Sequence, residues 1–507
     1  MLYKKIAGLV IIMFMIFEGY CQNTIKITYE NAVYIALNES YTIKSYLENK
    51  KAMESYFMFH KAQFKPMLDF NIYAPSWEES VLQINQADGL PVYNSTGSLR
   101  FGGGLNFTYI LPTGGNLMLY SNLYQENIKT VLATQNNETL TTDQIFSQIG
   151  VGFSQPIFTK NTLKENLKEA EIWYRIEENN YTQGQMNIIY DVTVGFYSLY
   201  RQQRLVDIST EKLNNSKEAY VVAKLKHKNK RIAEADVYIS EVEMEKDRAV
   251  LSESKALLER EKDLFKQQIG MNIDIDITVT SKIKIDTFII DHNFAIEHAL
   301  QNRTEIANNV LDVELKEIEL DKAKRERELK GKITAYYDFA GLGSETGANT
   351  GVLLSQSFDN MGIRPPNRGI TLSFSFPIYD WGRAKAKKQQ SIANLNDTKL
   401  ALEDSKVTVV REVKDIIRTI NDSKNRVFIN KRNQELATRS YEISELRFKN
   451  GDITSQQLAQ EQERLSQAQL AFLDSYITYQ LAIADLKRKT MWDFKNNRSY
   501  VLEHNTQ

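Results

Sequence analysis

All eight prolines of this 507-residue chain (Pro66, Pro75, Pro91, Pro112, Pro156, Pro365, Pro366 and Pro377) sit in two short blocks; none falls between Ile157 and Arg364 or after Ile378. Proline costs about 3 kcal/mol in a helix interior, so its exclusion is what very long helices require. The stretch Gly369–Arg383, GITLSFSFPIYDWGR, shows the boundary at residue level. Ile370, Leu372, Phe374 and Phe376 alternate with Thr371, Ser373 and Ser375, the period of a strand with one apolar and one small polar face. Pro377 stops the pattern, and a Lys-, Ala- and Gln-rich sequence follows from Trp381. A near copy, IGVGFSQPIFTKNTLKE, occupies Ile149–Glu165. The sequence therefore predicts a strand joined across one proline to a long helix, twice.

The N-terminus has Lys4 and Lys5, an apolar run from Ile6 to Phe17, and small residues at Gly19 and Cys21. This reads as a secretory signal peptide over residues 1–21, the run being shorter than the roughly 20 residues of a spanning helix. Cys21 is either the last residue removed or a lipidated N-terminus. No later stretch is apolar enough for a transmembrane helix, so any membrane insertion must use strands in a closed barrel. A formal net charge of −1 gives no indication of nucleic-acid binding, and five histidines with one cysteine leave little material for metal or thiol chemistry.

In chain order, a helix is predicted from Thr28 to about Gln63, ended by Pro66. A first strand over Leu68–Ile72 ends at Pro75 and is followed by a polar loop to about Arg100. Leu105, Phe107 and Tyr109 then alternate before Pro112-Thr113-Gly114-Gly115, with Leu117 and Leu119 after it, which predicts a hairpin. A second polar loop over Gln125–Asp143 leads to the strand Ile145–Ile157. Helix follows from Asn161 to about Gly270, interrupted near Lys228–Arg231. Ile273–Asp286 reads as irregular or strand-like. Helix resumes from His292 to about Leu329, a strand carries Ile333, Ala335, Tyr337 and Phe339, and a loop with Pro365-Pro366 leads to Gly369. Two helices, Trp381–Asn450 and Thr454–Trp492, flank Gly451-Asp452, a helix-ending turn. A helix of 70 residues would be about 105 Å long.

The halves repeat. Pro156 aligns with Pro377 and Leu225–Ala233 with Leu446–Thr454 at one offset, and Ala32, Ala36, Leu37 and Ile43 match Ala295, Ala299, Leu300 and Ile306 at another. The expected organisation is a first repeat over 22–286 (helix, strands about 66–158, helical hairpin about 161–270, linker). The second covers 287–507 (helix, strands about 333–379, helical hairpin about 381–492, tail). Leu458, Leu465, Phe472, Tyr479 and Leu486 recur every seventh residue beside the small Ala468, Ser475 and Ala482, a pattern for left-handed coiled-coil packing with close approach.

On SQPIF (Ser154–Phe158), SFPIYDWGRAKAKKQQ (Ser375–Gln390) and LRFKNGDITSQQLAQEQERLSQAQLAF (Leu446–Phe472), with the duplicated order, the chain resembles the TolC family of outer-membrane efflux proteins. The resemblance implies a mainly α fold with a membrane β-barrel. It implies a homotrimer in the cell outer membrane, sharing one barrel and one long periplasmic coiled-coil tunnel. Such proteins are exit ducts of tripartite efflux pumps or of type I secretion systems, partnered by a periplasmic adaptor and an inner-membrane transporter. One chain has too few strands to close a barrel, and sharing removes its unpaired edges in lipid. Leu372, Phe374 and Phe376 would then face lipid, and Thr371, Ser373 and Ser375 water. The family typically has two strands per half, whereas the first half here offers four. The hairpin at Pro112 either widens the barrel or sits outside the membrane band.

By the same resemblance, the helix-joining turns form the periplasmic tip that meets the partners: Lys230, Arg231 and Ile232 in one half, Gly451, Asp452, Ile453 and Thr454 in the other. Asp236 matches a family aspartate that forms a negative ring in the trimer. Its second-half counterparts are Gln457 and Gln460, with Glu461 adjacent. Pro156 and Pro377 mark the barrel–tunnel boundary. No cofactor or metal site, and no nucleophile–base or paired-carboxylate constellation, is expected. His227 lies in a Lys-rich turn, His292 and His298 are poorly spaced as ligands, and Gly102-Gly103-Gly104 begins a strand rather than a helix. The expected function is passive conduction without catalysis; the competitor from another class is a structural coiled-coil surface protein.

Overall fold

A computed structural model describes residues 24–85, 91–132, 138–281, 283, 285 and 290–499. The expected signal peptide and Cys21 lie outside the described residues. The chain divides into two compact units, one of residues from 24–51, 176–310 and 400–499, the other from 52–175 and 311–399.

The first unit is helical. It holds α1 (Tyr29–Glu39), the start of α2 (Tyr41–Ala62), most of α3 (Thr162–Lys228), and α4 (Glu234–Ile269). It also holds α5 (His292–Asn302), the start of α6 (Thr304–Lys324), most of α8 (Arg383–Asn450) and α9 (Ser455–Thr490). Strands β1 (Ile25–Ile27) and β6 (Ile277–Val279) pair in parallel. The repeat seen in sequence has a packing reason: Ala32, Ala36, Ala295 and Ala299 are all fully buried, where larger side chains would hold neighbouring helices apart. The heptad column also points inward, with Leu458, Leu465, Tyr479 and Leu486 buried beside Ser475 and Ala482. At 67 and 68 residues, α3 and α8 are each about 100 Å long.

The second unit is built on one six-stranded antiparallel meander in the order β2-β3-β4-β5-β7-β8. The strands are β2 (Met67–Asn85), β3 (Pro91–Ile110), β4 (Asn116–Leu132), β5 (Glu138–Ile157), β7 (Lys330–Ser344) and β8 (Asn367–Ser375). Its register sorts side chains onto two faces. On one, Phe70 stands beside Leu105, Phe107 beside Leu119, Leu119 beside Val151, Val151 beside Tyr337, and Ile333 beside Leu372. On the other runs a hydrogen-bonded polar ladder. Tyr73 Oη donates to Asn122 (3.3 Å), Asn122 Nδ2 to Gln148 (3.4 Å), and Gln148 Nε2 to Asp338 (3.1 Å). Asp338 also accepts from Asn367 (2.9 Å) and Tyr120 (3.2 Å). A buried carboxylate satisfied by three donors stands on the polar face, and on the other face Phe70, Leu119 and Leu372 are exposed.

Four expectations about local structure are corrected. The first strand does not end at Pro75. It continues to Asn85 through a register shift between Tyr73 and Ser76, where Ala74 and Pro75 oppose Phe101 in a bulge that accommodates a residue without an N–H. The polar stretches taken as loops, up to Arg100 and over Gln125–Asp143, are strand out to Asn85 and Leu132 and strand again from Pro91 and Glu138. Their Asn, Ser and Thr residues are paired across the sheet rather than solvated in a loop. The segment before Pro365 contains helix α7 (Thr350–Ile363), whose backbone lies directly on Gly341 and Gly343. A Cβ there would meet Ser357 O at 1.8 Å and Leu353 O at 1.9 Å. Ser147 and Ser357 share a 2.6 Å hydrogen bond, and Asn360 Nδ2 donates to Leu342 O at 2.7 Å. Finally, the two N-terminal helices of the repeats are each broken, at Ser40 and at Arg303.

Candidate functional site: helix-turn tips and strand-to-helix joints

Both tip turns close in the same way. The α3 helix ends with Arg231 N donating to Lys226 O (2.9 Å) and Lys230 N to His227 O (2.8 Å). The α8 helix ends with Asp452 N donating to Arg447 O (2.9 Å) and Gly451 N to Phe448 O (3.0 Å). These are paired Schellman closures, with Lys230 (φ 53°) and Gly451 (φ 95°) at equivalent left-handed positions. The next helix starts differently in the two halves. Thr454 caps α9 through a reciprocal capping box with Gln457, whereas Ala233 gives α4 no side-chain cap.

That difference decides what the expected gate residues do within one chain. Gln457 is committed to its helix start, its Oε1 accepting from Thr454 N at 2.9 Å. Glu461 pairs with Arg464 at 2.6 Å and accepts from Ser440 Oγ at 3.0 Å. Gln460 is exposed. Asp236 lies in the first turn of α4, half-buried, with its N–H bonded to Ala233 O at 3.1 Å. Its carboxylate makes no ion pair with the described residues and adds to the favourable acidic charge at a helix N-terminus. The structure thus does not give the four gate candidates one environment.

The turn residues divide likewise. Ile232 and Ile453 pack against the buried cluster of Ala223, Tyr441, Phe448, Leu458 and Leu465. Lys230, Arg231, Gly451, Asp452 and Thr454 are exposed and form the accessible part of the tips. Two polar links between the hairpins were not found from sequence. Buried Lys226 donates to Phe448 O. Lys212 on α3 bridges Asp247 of α4 (3.2 Å) and Glu463 of α9 (2.8 Å). Burial opposes the Lys212 charge most strongly, but Glu463 and Asp247 outweigh it and raise its pKa. Lysines at fixed offsets from the turn were the only sequence signal.

At the joints, Pro156 is still in register, opposite Lys332, and β5 ends one residue later. Asn161 then caps α3, its Oδ1 accepting from Leu163 N (2.9 Å) while its Nδ2 donates to Pro112 O (3.1 Å). Gln155 Nε2 donates to Thr113 O (3.2 Å). The expected Pro112 hairpin is therefore the brace of the first joint. Pro377 lies just beyond β8. Asp380 caps α8 by accepting from Gly382 N (3.1 Å) and Ala384 N (3.0 Å), and these backbone donors, Ala384 first, hold its carboxyl below the usual carboxylate range. Phe158 stacks on Phe374 (6.4 Å) across the two joints, and the exposed rings of Tyr379 and Trp381 meet edge to face at 4.8 Å. Among the described residues no cluster of potential metal ligands forms, and no helix is long and apolar enough to cross a membrane.

Residues 343–488 match the outer membrane efflux protein family. Comparison with curated protein sequences finds no match. Among solved structures, the Campylobacter jejuni CmeC outer membrane channel superposes with a TM-score of 0.66 at 13% identity, over 91% of this chain and 85% of that one. The outer membrane protein VceC of Vibrio cholerae gives 0.63 at 13%, over 91% and 95%. The open state of the Neisseria gonorrhoeae MtrE outer membrane channel gives 0.63 at 12%, over 94% and 91%. CmeC and MtrE are outer membrane channels and VceC is an outer membrane protein. Through residues 343–488 the chain matches the outer membrane efflux proteins, and its fold is that of a TolC-like outer-membrane channel.

Proposed function

We propose that three copies of this chain form the exit duct of a tripartite efflux pump, conducting substrate passively from a periplasmic assembly to the exterior. The observation that carries this reading is the sheet. Away from α7, which covers Gly341 and Gly343, its apolar face is exposed, Ile370 being 82% accessible, and each end strand has an edge unpaired among the described residues. Both features fit a strand wall facing lipid, provided further copies cover the edges. Tyr379 and Trp381 beside Pro377 fit the aromatic girdle where such a wall meets water, and α3 and α8 have the length of a periplasmic tunnel wall.

In this reading the repeats over 22–286 and 287–507 are the duplicated structural units, and residues 1–21 direct export. The exposed tip residues Lys230, Arg231, Gly451, Asp452 and Thr454 meet an adaptor or an inner-membrane transporter, which supplies the energy. Asp236 lines the periplasmic constriction. The test is reconstitution of the full-length protein, purified in detergent, into planar bilayers. Trimers that conduct ions support the duct. A water-soluble elongated monomer without conductance overturns it in favour of a structural surface protein. Loss of small-molecule tolerance on deletion separates efflux from polypeptide secretion.

A further inference from the structure

The trimer reading leaves open how the copies meet and how wide the wall is, and the sheet register speaks to both. A row perpendicular to the strands runs from Met67 through Thr108, Met118, Gly152 and Tyr336 to Gly369. The feet of the same strands step away from that row. They lie at Met67 on β2, Ile110 on β3, Asn116 on β4, Ile157 on β5, Lys330 on β7 and Ser375 on β8. Ser375 is six residues beyond Gly369, so the feet drop six residues over the five steps within one copy, and six over six steps once a level seam to the next copy is counted. Level feet therefore require a shear of one residue per strand, which tilts the strands by about 35° at standard strand spacings, within the range of transmembrane barrels.

The β8 edge also matches the foot half of the longer β2 edge, Met67–Pro75, in direction and side-chain pattern. β8 is nine residues long, Asn367–Ser375. Antiparallel pairing of Ser375 with Met67 of a second copy brings Asn367 opposite Pro75, where the β2 bulge begins and a backbone donor is missing. Because the meander has an even number of strands, β8 of one copy meets β2 of the next antiparallel, as every other pair in the sheet does. In this register Leu68 lies opposite Phe374 and Ile72 opposite Ile370 on the apolar face, with Asp69 opposite Ser373 on the polar one.

We infer that β8 of each copy pairs with Met67–Pro75 of the next, so that the β2–β3 hairpin is part of the wall and three copies close an eighteen-stranded barrel. At this tilt its backbone diameter is about 34 Å, against about 22 Å for twelve strands. The Pro112 hairpin, which joins β3 to β4, then lies in the wall as well and widens the barrel rather than sitting outside the membrane band. Such a duct has a mouth in the width class of porins rather than of small barrels and passes bulky solutes without rearrangement of the wall.

The inference rests on the trimeric duct proposed above, and disulfide trapping separates the two. Asp69→Cys with Ser373→Cys places thiols opposite each other across the β8–β2 seam. Met118→Cys with Ser373→Cys does so only if β8 instead closes on β4 with β2 and β3 displaced, as in a twelve-stranded wall. Each double variant is oxidised in outer-membrane vesicles and run on denaturing, non-reducing gels after confirming normal membrane insertion. The expected result is a reducible covalent ladder ending at trimer for the Asp69/Ser373 pair and not for the Met118/Ser373 pair. The reverse pattern overturns the eighteen-stranded wall and keeps the trimeric duct. No ladder from either pair overturns both.

Discussion

Lys226 Nζ donates to the carbonyl oxygen of Phe448 and lies 4.2 Å from the centre of that residue's ring. The acceptor is one of the last carbonyls of α8, which also takes the Gly451 N–H of the Schellman closure, so one lysine of the first hairpin adds a second donor at the C-terminus of a helix in the second. Cation–ring attraction adds to a charge-assisted hydrogen bond, and the side chain is buried.

Replacing that lysine by Met keeps the stem and removes both polar interactions. Lys226→Met is expected to cost about 1–3 kcal/mol and to act locally. Amide exchange should rise at Phe448–Thr454, while the core around Phe196, Phe265 and Tyr479 keeps its protection. Uniform protection across the tip would show that the lysine contributes nothing to holding the hairpins together.

Lys212 serves a different purpose, because one of its partners has no alternative. Asp247 is 3% exposed, whereas the Glu463 side chain is 49% exposed. Lys212→Met leaves a buried carboxylate unpaired and is expected to cost about 3–5 kcal/mol. Adding Asp247→Asn should recover most of it, since a neutral amide needs no counter-charge. The Lys212 hydrogen bond is the main cause holding Glu463 below the usual carboxylate range. A carboxylate lowered in the fold contributes stability above its unfolded pKa of about 4.3 and loses it as pH falls through the lower folded value. With half of the side chain in water, this acid-sensitive part is at most about 1 kcal/mol. Thermal melts at neutral and acid pH of the wild type and Glu463→Gln measure it as the difference in acid slope.

The turns offer a matched pair of substitutions. Lys230 and Gly451 occupy the same left-handed position in the two halves, which costs a residue with a Cβ about 1 kcal/mol relative to glycine. Lys230→Gly should therefore stabilise the first hairpin by about 1 kcal/mol and Gly451→Ala should destabilise the second by a similar amount. No atom lies within 4 Å of a Cβ built at Gly451, so the loss reports backbone conformation rather than a clash. Denaturant midpoints of the two variants, moving in opposite directions, check the equivalence of the turns.

What was legible in the sequence followed periodicity. The long helices, the turn at Gly451 and the alternation around Ile333 and Leu372 follow from apolar spacing and from where proline and glycine stand, while the turn at Lys230, which has neither, follows from its alignment with Gly451. The misread parts lie where composition and pairing disagree. The outer reaches of β2, β3, β4 and β5 look like loops because their Ser, Thr and Asn residues are partnered by other strands, which spacing along one strand does not show. Helix α7 was missed because its determinants, Gly341 and Gly343, stand on another element. The candidate site was legible only by position: the offset that maps Asp236 onto Gln457 is real in the fold, but Gln457 is held by Thr454 and Glu461 by Arg464 and Ser440. Those commitments are pairwise geometry, invisible to an alignment of the halves.

Asp236 is consequently the charged gate candidate with the least to do inside its own chain. It bonds its backbone N–H to Ala233 O while its carboxylate makes no ion pair among the described residues. In the proposed trimer three such carboxylates at a constriction attract cations and repel anions. Asp236→Asn is expected to reduce cation over anion selectivity in planar bilayers by severalfold. Its effect on stability should be under about 1 kcal/mol, the loss of one acidic side chain at a helix start. Glu461→Gln serves as the contrast, since Glu461 is engaged by Arg464 and Ser440. It should weaken the local packing of α9 against α8 more than it changes selectivity. Reversal potentials under a salt gradient, measured for both variants, decide the matter: unchanged selectivity in Asp236→Asn assigns that residue to helix capping alone.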